Sequence, residues 1–339
     1  MMSRSRRQGR GLGRRAAHLG VLAGLSLLVA CGDNDGPTTP ADMGGGGDMT
    51  TVEPPKEPAI SKSLGTVNRP TAAALDKDGK NVYVLGYDQN GAAQLFTAPS
   101  SGGAFTPVTT TIPLAQPVAL AIDGNNQLYV ADIGTDDGGA VYKGTLTGTL
   151  SVLGTGVFAP AGIAVSKDGA DVYVTGQDKS GAPGLFKMPA AGGSATVAAM
   201  GAPFSNPSGV TFGPDGALYV LDSSAISPTE GAVLKVNGSA ATTFSKTPLK
   251  VGFSTGIAPS GTDKLLITSN TPGAAGVFNV ASDGTVAATS LTGLTVDKDG
   301  DPATVARAAA TNAWVVIDTA TPPQTTAGLL SGAVLYLTP

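Results

Sequence analysis

Beyond residue 58 the chain is written in short apolar runs separated by glycine, proline, aspartate and threonine, and no spacing of three or four residues persists long enough for an amphipathic helix. The stretch 206–222, NPSGVTFGPDGALYVLD, shows the repeating unit most plainly. Pro207 opens a strand, Gly209-Val210-Thr211-Phe212 is a short extended run, Asp215-Gly216 is a strong tight-turn signal, and Leu218-Tyr219-Val220 is the return strand. The unit recurs from markers at Pro70, Pro117, Pro160, Pro207, Ser254 and Pro302, spaced by 47, 43, 47, 47 and 48 residues. Each marker precedes a first strand, predicted at 72–75, 119–122, 162–165, 209–212, 256–258 and 304–308. Past a turn, second strands are predicted at 82–85, 128–131, 172–175, 218–221, 265–268 and 314–317. Third strands follow at 94–96, 140–142, 184–186, 232–234, 276–278 and 333–335. Fourth strands, rich in Thr and Ala, are predicted near 108–112, 150–153, 195–199, 240–244 and 286–290.

The sixth unit lacks a fourth strand, and one unassigned extended segment, 60–67, precedes the first unit. Four-stranded units at this period close into a ring that leaves only short, protected edges. The sequence therefore predicts an all-β protein, a six-bladed β-propeller with four-stranded blades over residues 60–339, its last blade completed by the segment 60–67. The recurring P-x-G-[IV]-x-[VF], followed by D-G-x-L-Y-V-x-D, resembles the six-bladed propellers of the NHL-repeat and gluconolactonase-like superfamily across that span. The resemblance implies architecture rather than activity, because such rings host many unrelated functions.

The segment before the repeats reads differently. Residues 1–30 carry six arginines and no acid, and the apolar run 19–30 has the length of a signal-peptide core and is too short to span a bilayer. Leu28-Val29-Ala30-Cys31 resembles a bacterial lipobox, which implies a lipoprotein signal peptide over residues 1–30 and lipidation of Cys31. Cys31 is the only cysteine, so it has neither a disulfide partner nor a thiolate cluster to join. More than one acyl chain on it would make membrane anchoring stable. Gly32 in place of Asp resembles the signal for the outer membrane of a Gram-negative cell envelope. Residues 31–59 hold Pro37, Pro40, Pro54, Pro55, Pro58 and the run 44–47 of glycines, with almost nothing large and apolar, the composition of a flexible tether. Without the leader, 15 Lys and Arg stand against 25 Asp and Glu, a formal net charge of −10, which argues against a nucleic-acid partner.

Candidate chemistry is narrowed by what is missing. The sole histidine, His18, lies in the leader, so the mature chain lacks His-based triads, His metal ligands and, with Cys31 lipidated, thiol nucleophiles. Gluconolactonase-like enzymes hold a divalent metal in the central channel, partly through residues at the starts of first strands. The matching positions here are Thr71, Val118, Ala161, Ser208, Thr255 and Ala303, none of them a carboxylate. The propeller lyases that resemble this repeat depend on histidine. Gly252 to Gly256 matches G-x-S-x-G, but that motif requires a strand-to-helix elbow and a base, and Ser254 stands where proline marks the other repeats.

Acidic residues remain. Asp297, Asp299 and Asp301 alternate in a connection between repeats and form a candidate weak cation site, with calcium the one ion to consider and no other cofactor implied. Asp132, Asp222 and Asp318 end second strands, with Asn270 at the corresponding point of the fifth repeat. They are read either as acceptors for loop N–H groups or as a ring of binding residues on the face carrying the loops 132–139, 222–231 and 318–332. The expected protein is a lipid-anchored extracytoplasmic propeller. It is expected to be monomeric and to act as a binding or scaffolding module for an unidentified protein or small-molecule ligand. The alternative is a metal-dependent hydrolase or lyase of the gluconolactonase-like kind.

Overall fold

A computed structural model describes residues 58–134, 138–252, 254–271, 274–289, 302–319 and 331–339. The first described strand is β1 (Ala59–Asn68). The first blade is β2 (Ala72–Leu75), β3 (Asn81–Tyr87), β4 (Ala93–Pro99) and β5 (Thr106–Val108), and the second is β6 (Pro117–Ile122), β7 (Gln127–Asp132), β8 (Ala140–Thr145) and β9 (Leu150–Thr155). The third is β10 (Ile163–Val165), β11 (Asp171–Gln177), β12 (Pro183–Pro189) and β13 (Thr196–Met200), and the fourth is β14 (Pro207–Phe212), β15 (Leu218–Ser227), β16 (Glu230–Asn237) and β17 (Ala240–Thr243). The fifth is β18 (Ile257–Ser260), β19 (Lys264–Ser269), β20 (Gly276–Val280) and β21 (Val286–Thr289). The sixth comprises β22 (Pro302–Arg307), β23 (Trp314–Asp318) and β24 (Ser331–Thr338), with β1 as its outer strand.

Each sheet is an antiparallel meander, and the ring is a six-bladed β-propeller. β1 runs antiparallel to β24 from Ala59↔Thr338 to Asn68↔Ser331, so the N-terminal strand closes the last blade. This pairing joins the two ends of the repeat array through backbone hydrogen bonds. Both faces of every blade pack against a neighbour, which is why the second strands read as continuous apolar runs rather than alternating ones. Val82, Val84 and Leu85, or Leu128, Tyr129 and Val130, are wholly buried or nearly so. Six apolar clusters result, one at each junction between adjacent blades.

Three expectations shift. The outer strand of blade one lies at Thr106–Val108 and not at 108–112, because Thr111 is taken by blade two. Its amide donates to Gly148 O (3.0 Å), its hydroxyl to Leu150 O (3.0 Å), and it accepts from the Leu150 amide (2.8 Å). The expected loop 222–231 is instead a hairpin extension, with Ser227 pairing Glu230 beyond an irregularity at Asp222. As an aromatic residue near the start of its second strand, Trp314 matches Tyr129 and Tyr219 in sequence. The pairing Arg307↔Trp314 matches Ile122↔Leu128 and Phe212↔Leu218, so Trp314 takes the leucine position one residue earlier. A one-residue shift places a side chain on the opposite face of its sheet. Trp314 accordingly fills the junction with blade five, where its Nε1 donates to Pro259 O at 2.9 Å.

Candidate functional site

The first strands of all six blades enclose a central channel with a cavity of about 1080 Å³. Its wall runs along the first strands and, in blades two, three, four and six, onto the turn that follows, so the mouth lies on the face of the first-to-second-strand turns. At the opposite end the ring tightens through backbone contacts between blades. Thr255 N donates to Ala303 O at 3.0 Å, and a Cβ added to Gly209 would lie 2.4 Å from Thr255 O. Thr71 and Ala161 instead donate their amides to the second strands of their own blades, at Leu85 O and Thr175 O (both 2.9 Å), and with no carboxylate among them the strand-start positions do not fit a carboxylate-held metal in the channel. Among the described residues no three His, Cys, Asp or Glu side chains come together to hold an ion.

Alkyl side chains such as Ala74, Ile122, Val165, Ile257 and Ala306 make up most of the wall. Four charged residues interrupt it: Asp123, Lys167, Asp168 and Arg307. The two carboxylates serve their own turns. Asp123 Oδ1 accepts the amides of Asn125 and Gln127, both at 2.8 Å, and Oδ2 the Tyr129 hydroxyl at 3.3 Å. Asp168 accepts the Ser166 hydroxyl at 2.6 Å and the Ala170 amide at 3.1 Å, and these bonds hold its carboxyl below the ordinary carboxylate range. Lys167 is exposed at the rim.

Arg307 differs from both. One guanidinium Nη donates to Asn312 Oδ1 at 3.0 Å, and the group sits 5.8 Å from the Trp314 ring centroid. Its Nε is buried and donates to nothing among the described residues. Burial lowers the guanidinium pKa from its ordinary value. Counting five residues on from each marker, the positions equivalent to Arg307 are Leu75, Ile122, Val165, Phe212 and Pro259. A cation where five repeats are apolar is the sequence signal for this residue; it was not singled out from the sequence.

The strand-end acids sit elsewhere. Asp132 is fully buried and its carboxylate accepts the amides of Ala115, Gln116 and Gly134, each at 2.8 Å. Asp222 repeats the arrangement with Ser205 (2.8 Å), Asn206 (3.0 Å) and Ser224 (3.0 Å). These two carboxylates fasten the incoming chain to the blade and present no surface to a ligand. Blades one and three solve the same problem with Gly86 and Gly176. There the incoming chain presses so close that an added Cβ would lie 2.7 Å from Asn68 O or from Phe158 O.

Asp318 pairs with Pro302 as Asp132 pairs with Pro117 and is 5% exposed. In blade five the pairing Ile257↔Ile267 puts Ser269, rather than Asn270, in the aspartate position. The Ser269 hydroxyl bonds Lys250 O and accepts the Thr271 amide. Ser254 is fully buried, donates to Ala303 O at 2.9 Å and accepts from the Gly256 amide at 3.2 Å, a structural role. Cys31, residues 32–57 of the tether and the acids Asp297, Asp299 and Asp301 lie outside the described residues, while Ala59 belongs to β1.

No family model and no curated protein matches the chain in sequence. Solved structures do match. An aldose sugar dehydrogenase from Streptomyces coelicolor in its PQQ-bound form is 12% identical with a TM-score of 0.58, covering 84% of this chain and 99% of that one. A gluconolactonase from Xanthomonas campestris is 16% identical with a TM-score of 0.56, covering 83% and 96%. A TolB-like protein from Agrobacterium tumefaciens is 18% identical with a TM-score of 0.51, covering 65% and 80%. The likeness is one of fold. At these identities it carries no activity from those proteins to this one.

Proposed function

We propose that this protein is a lipid-anchored, extracytoplasmic propeller that works as a binding module, held to the membrane through Cys31 and a tether of about 30 residues. The observation that carries the binding reading is the channel. Its wall is mostly alkyl, its two carboxylates are tied into turns, and no acid–base pair is assembled among its described lining residues. An apolar concavity with few polar groups is the ordinary form of a ligand site. The anchoring reading rests on the arginine-rich leader, the apolar run and the lone cysteine that follows it.

Fractionation of cells carrying Cys31→Ser tests the anchor. The variant is expected in the soluble fraction, and unchanged membrane association overturns the lipoprotein reading. Metal analysis of the purified chain, with melting curves in calcium and in chelator, tests binding against hydrolysis. No stoichiometric ion and no chelator-dependent shift are expected. An ion retained in stoichiometric amount would favour the metal-dependent hydrolase or lyase instead.

A further inference from the structure

Arg307 breaks the pattern of the ring in a way that neither packing nor pairing explains. In the other five blades the last channel-facing position of the first strand is apolar, and its partner across the ladder is aliphatic: Leu75↔Val82, Ile122↔Leu128, Val165↔Val172, Phe212↔Leu218 and Pro259↔Leu265. Blade six alone substitutes Arg307↔Trp314. Trp314 is explained by packing, since it is fully buried and its Nε1 reaches Pro259 O. Arg307 is not. It is one of only two arginines after the leader, and an apolar residue would fill the junction at lower cost than a partly desolvated guanidinium.

The guanidinium lines the channel near its mouth with one neutral acceptor, Asn312, and no carboxylate partner among the described residues. The planar donor array of arginine suits a carboxylate, which it can meet with two parallel bonds. The rest of the wall is alkyl. Asp123 and Asp168 face the same space and outweigh the one other cation there, Lys167 on the exposed rim, so with Arg307 matched a second negative charge on an occupant meets no surplus of positive charge and a single charge fits best.

We infer that the central channel binds an amphiphilic monocarboxylate, its carboxylate on Arg307 and its apolar body along the alkyl wall. The inference deepens the binding-module reading by naming the ligand class, and it is independent of the lipid anchor. If the site fails while Cys31→Ser still releases the protein, only the channel site is lost; if anchoring fails, the site is untouched.

Trp314 supplies the readout. It is the only tryptophan in the chain and lies against Arg307, so its emission reports on that guanidinium. The purified full chain is titrated with octanoate, with uncharged octanamide and with the dicarboxylate octanedioate, following tryptophan fluorescence. Octanoate is expected to give a saturable change at a concentration roughly tenfold to a hundredfold lower than octanamide, the worth of a charge-assisted bond. Octanedioate is expected to bind more weakly than octanoate. Arg307→Gln should bring octanoate down to the affinity of octanamide, and Arg307→Lys should restore part of the difference. No saturable response to octanoate, equal affinities for octanoate and octanamide, or octanoate binding unchanged in Arg307→Gln would each overturn the proposal. Should Arg307→Gln fail to fold, the comparison of the acid with the amide on the natural sequence decides by itself.

Discussion

Replacing Asp222 by alanine removes a carboxylate that is wholly buried and accepts three backbone amides, those of Ser205, Asn206 and Ser224, at 2.8–3.0 Å. These bonds tie the chain entering blade four to the end of its second strand. A hydrogen bond to a charged group contributes about 1.5–3 kcal/mol, but three of them do not add. Ser205 and Asn206 are exposed, so their freed amides can turn to water, whereas Ser224 is only partly open. Together these considerations set the loss at about 3–5 kcal/mol, comparable to breaking a buried ionic contact.

For a ring of this size each kcal/mol moves the melting temperature by roughly 2 °C, so Asp222→Ala should melt about 6–10 °C below the natural sequence. Asp222→Asn, which keeps one acceptor oxygen and turns a donor toward the amides, should fall between them. Differential scanning calorimetry measures all three, with Asp178→Ala, on an exposed turn, as a control expected to change little. A melting temperature for Asp222→Ala within about 2 °C of the natural sequence would refute the fastening role, and loss of ligand binding at full stability would make Asp222 a binding residue after all.

Deleting residues 59–68 removes the outer strand of blade six and its ladder to β24, and it should abolish cooperative melting by circular dichroism; an unaltered transition would show that the ring closes without it. Trp314→Ala should cost about 3–5 kcal/mol, since it empties the junction of blades five and six and leaves Pro259 O without its donor; a shift in urea midpoint corresponding to less than about 1 kcal/mol would contradict the packing. Burial, reinforced by the adjacent Asp123, raises the Tyr129 pKa well above its ordinary 10.0, and burial also raises those of Tyr83, Tyr142 and Tyr219. Above pH 10 the unfolded chain ionises these phenols while the folded protein keeps them protonated, so their contribution is complete below pH 10 and is lost as pH rises toward the folded values. Melting temperatures measured from neutral pH upward should therefore fall beyond about pH 10, less steeply in Tyr129→Phe, and an identical slope in that variant would exclude Tyr129 as a source.

The repeat itself was legible because its signals are local. A proline that cannot continue a ladder, an Asp-Gly turn and an apolar run each act on their own few residues, so markers at near-constant spacing gave six blades and the closing strand 60–67. Errors came where a contact from another blade decided the outcome. Thr109 to Ile112 reads as a strand by propensity, yet blade two takes the polar groups of Thr111. Asn270 matches the strand-end aspartates by spacing, yet the ladder places Ser269 there. Trp314 resembles Tyr129 and Tyr219 by eye, and a register one residue different sends it to the other face.

The sequence by itself determined the architecture, the number of blades, the manner of closure and the absence of histidine and cysteine beyond residue 31. Only the tertiary structure decided that Asp132 and Asp222 are fasteners, that the channel opens on the turn face, and that Arg307 stands in its wall without a carboxylate partner among the described residues. The division has a physical cause. Turn chemistry and strand patterning are properties of neighbouring residues, whereas the worth of a charged side chain is set by what surrounds it, and in a closed ring those surroundings come from blades distant in the chain.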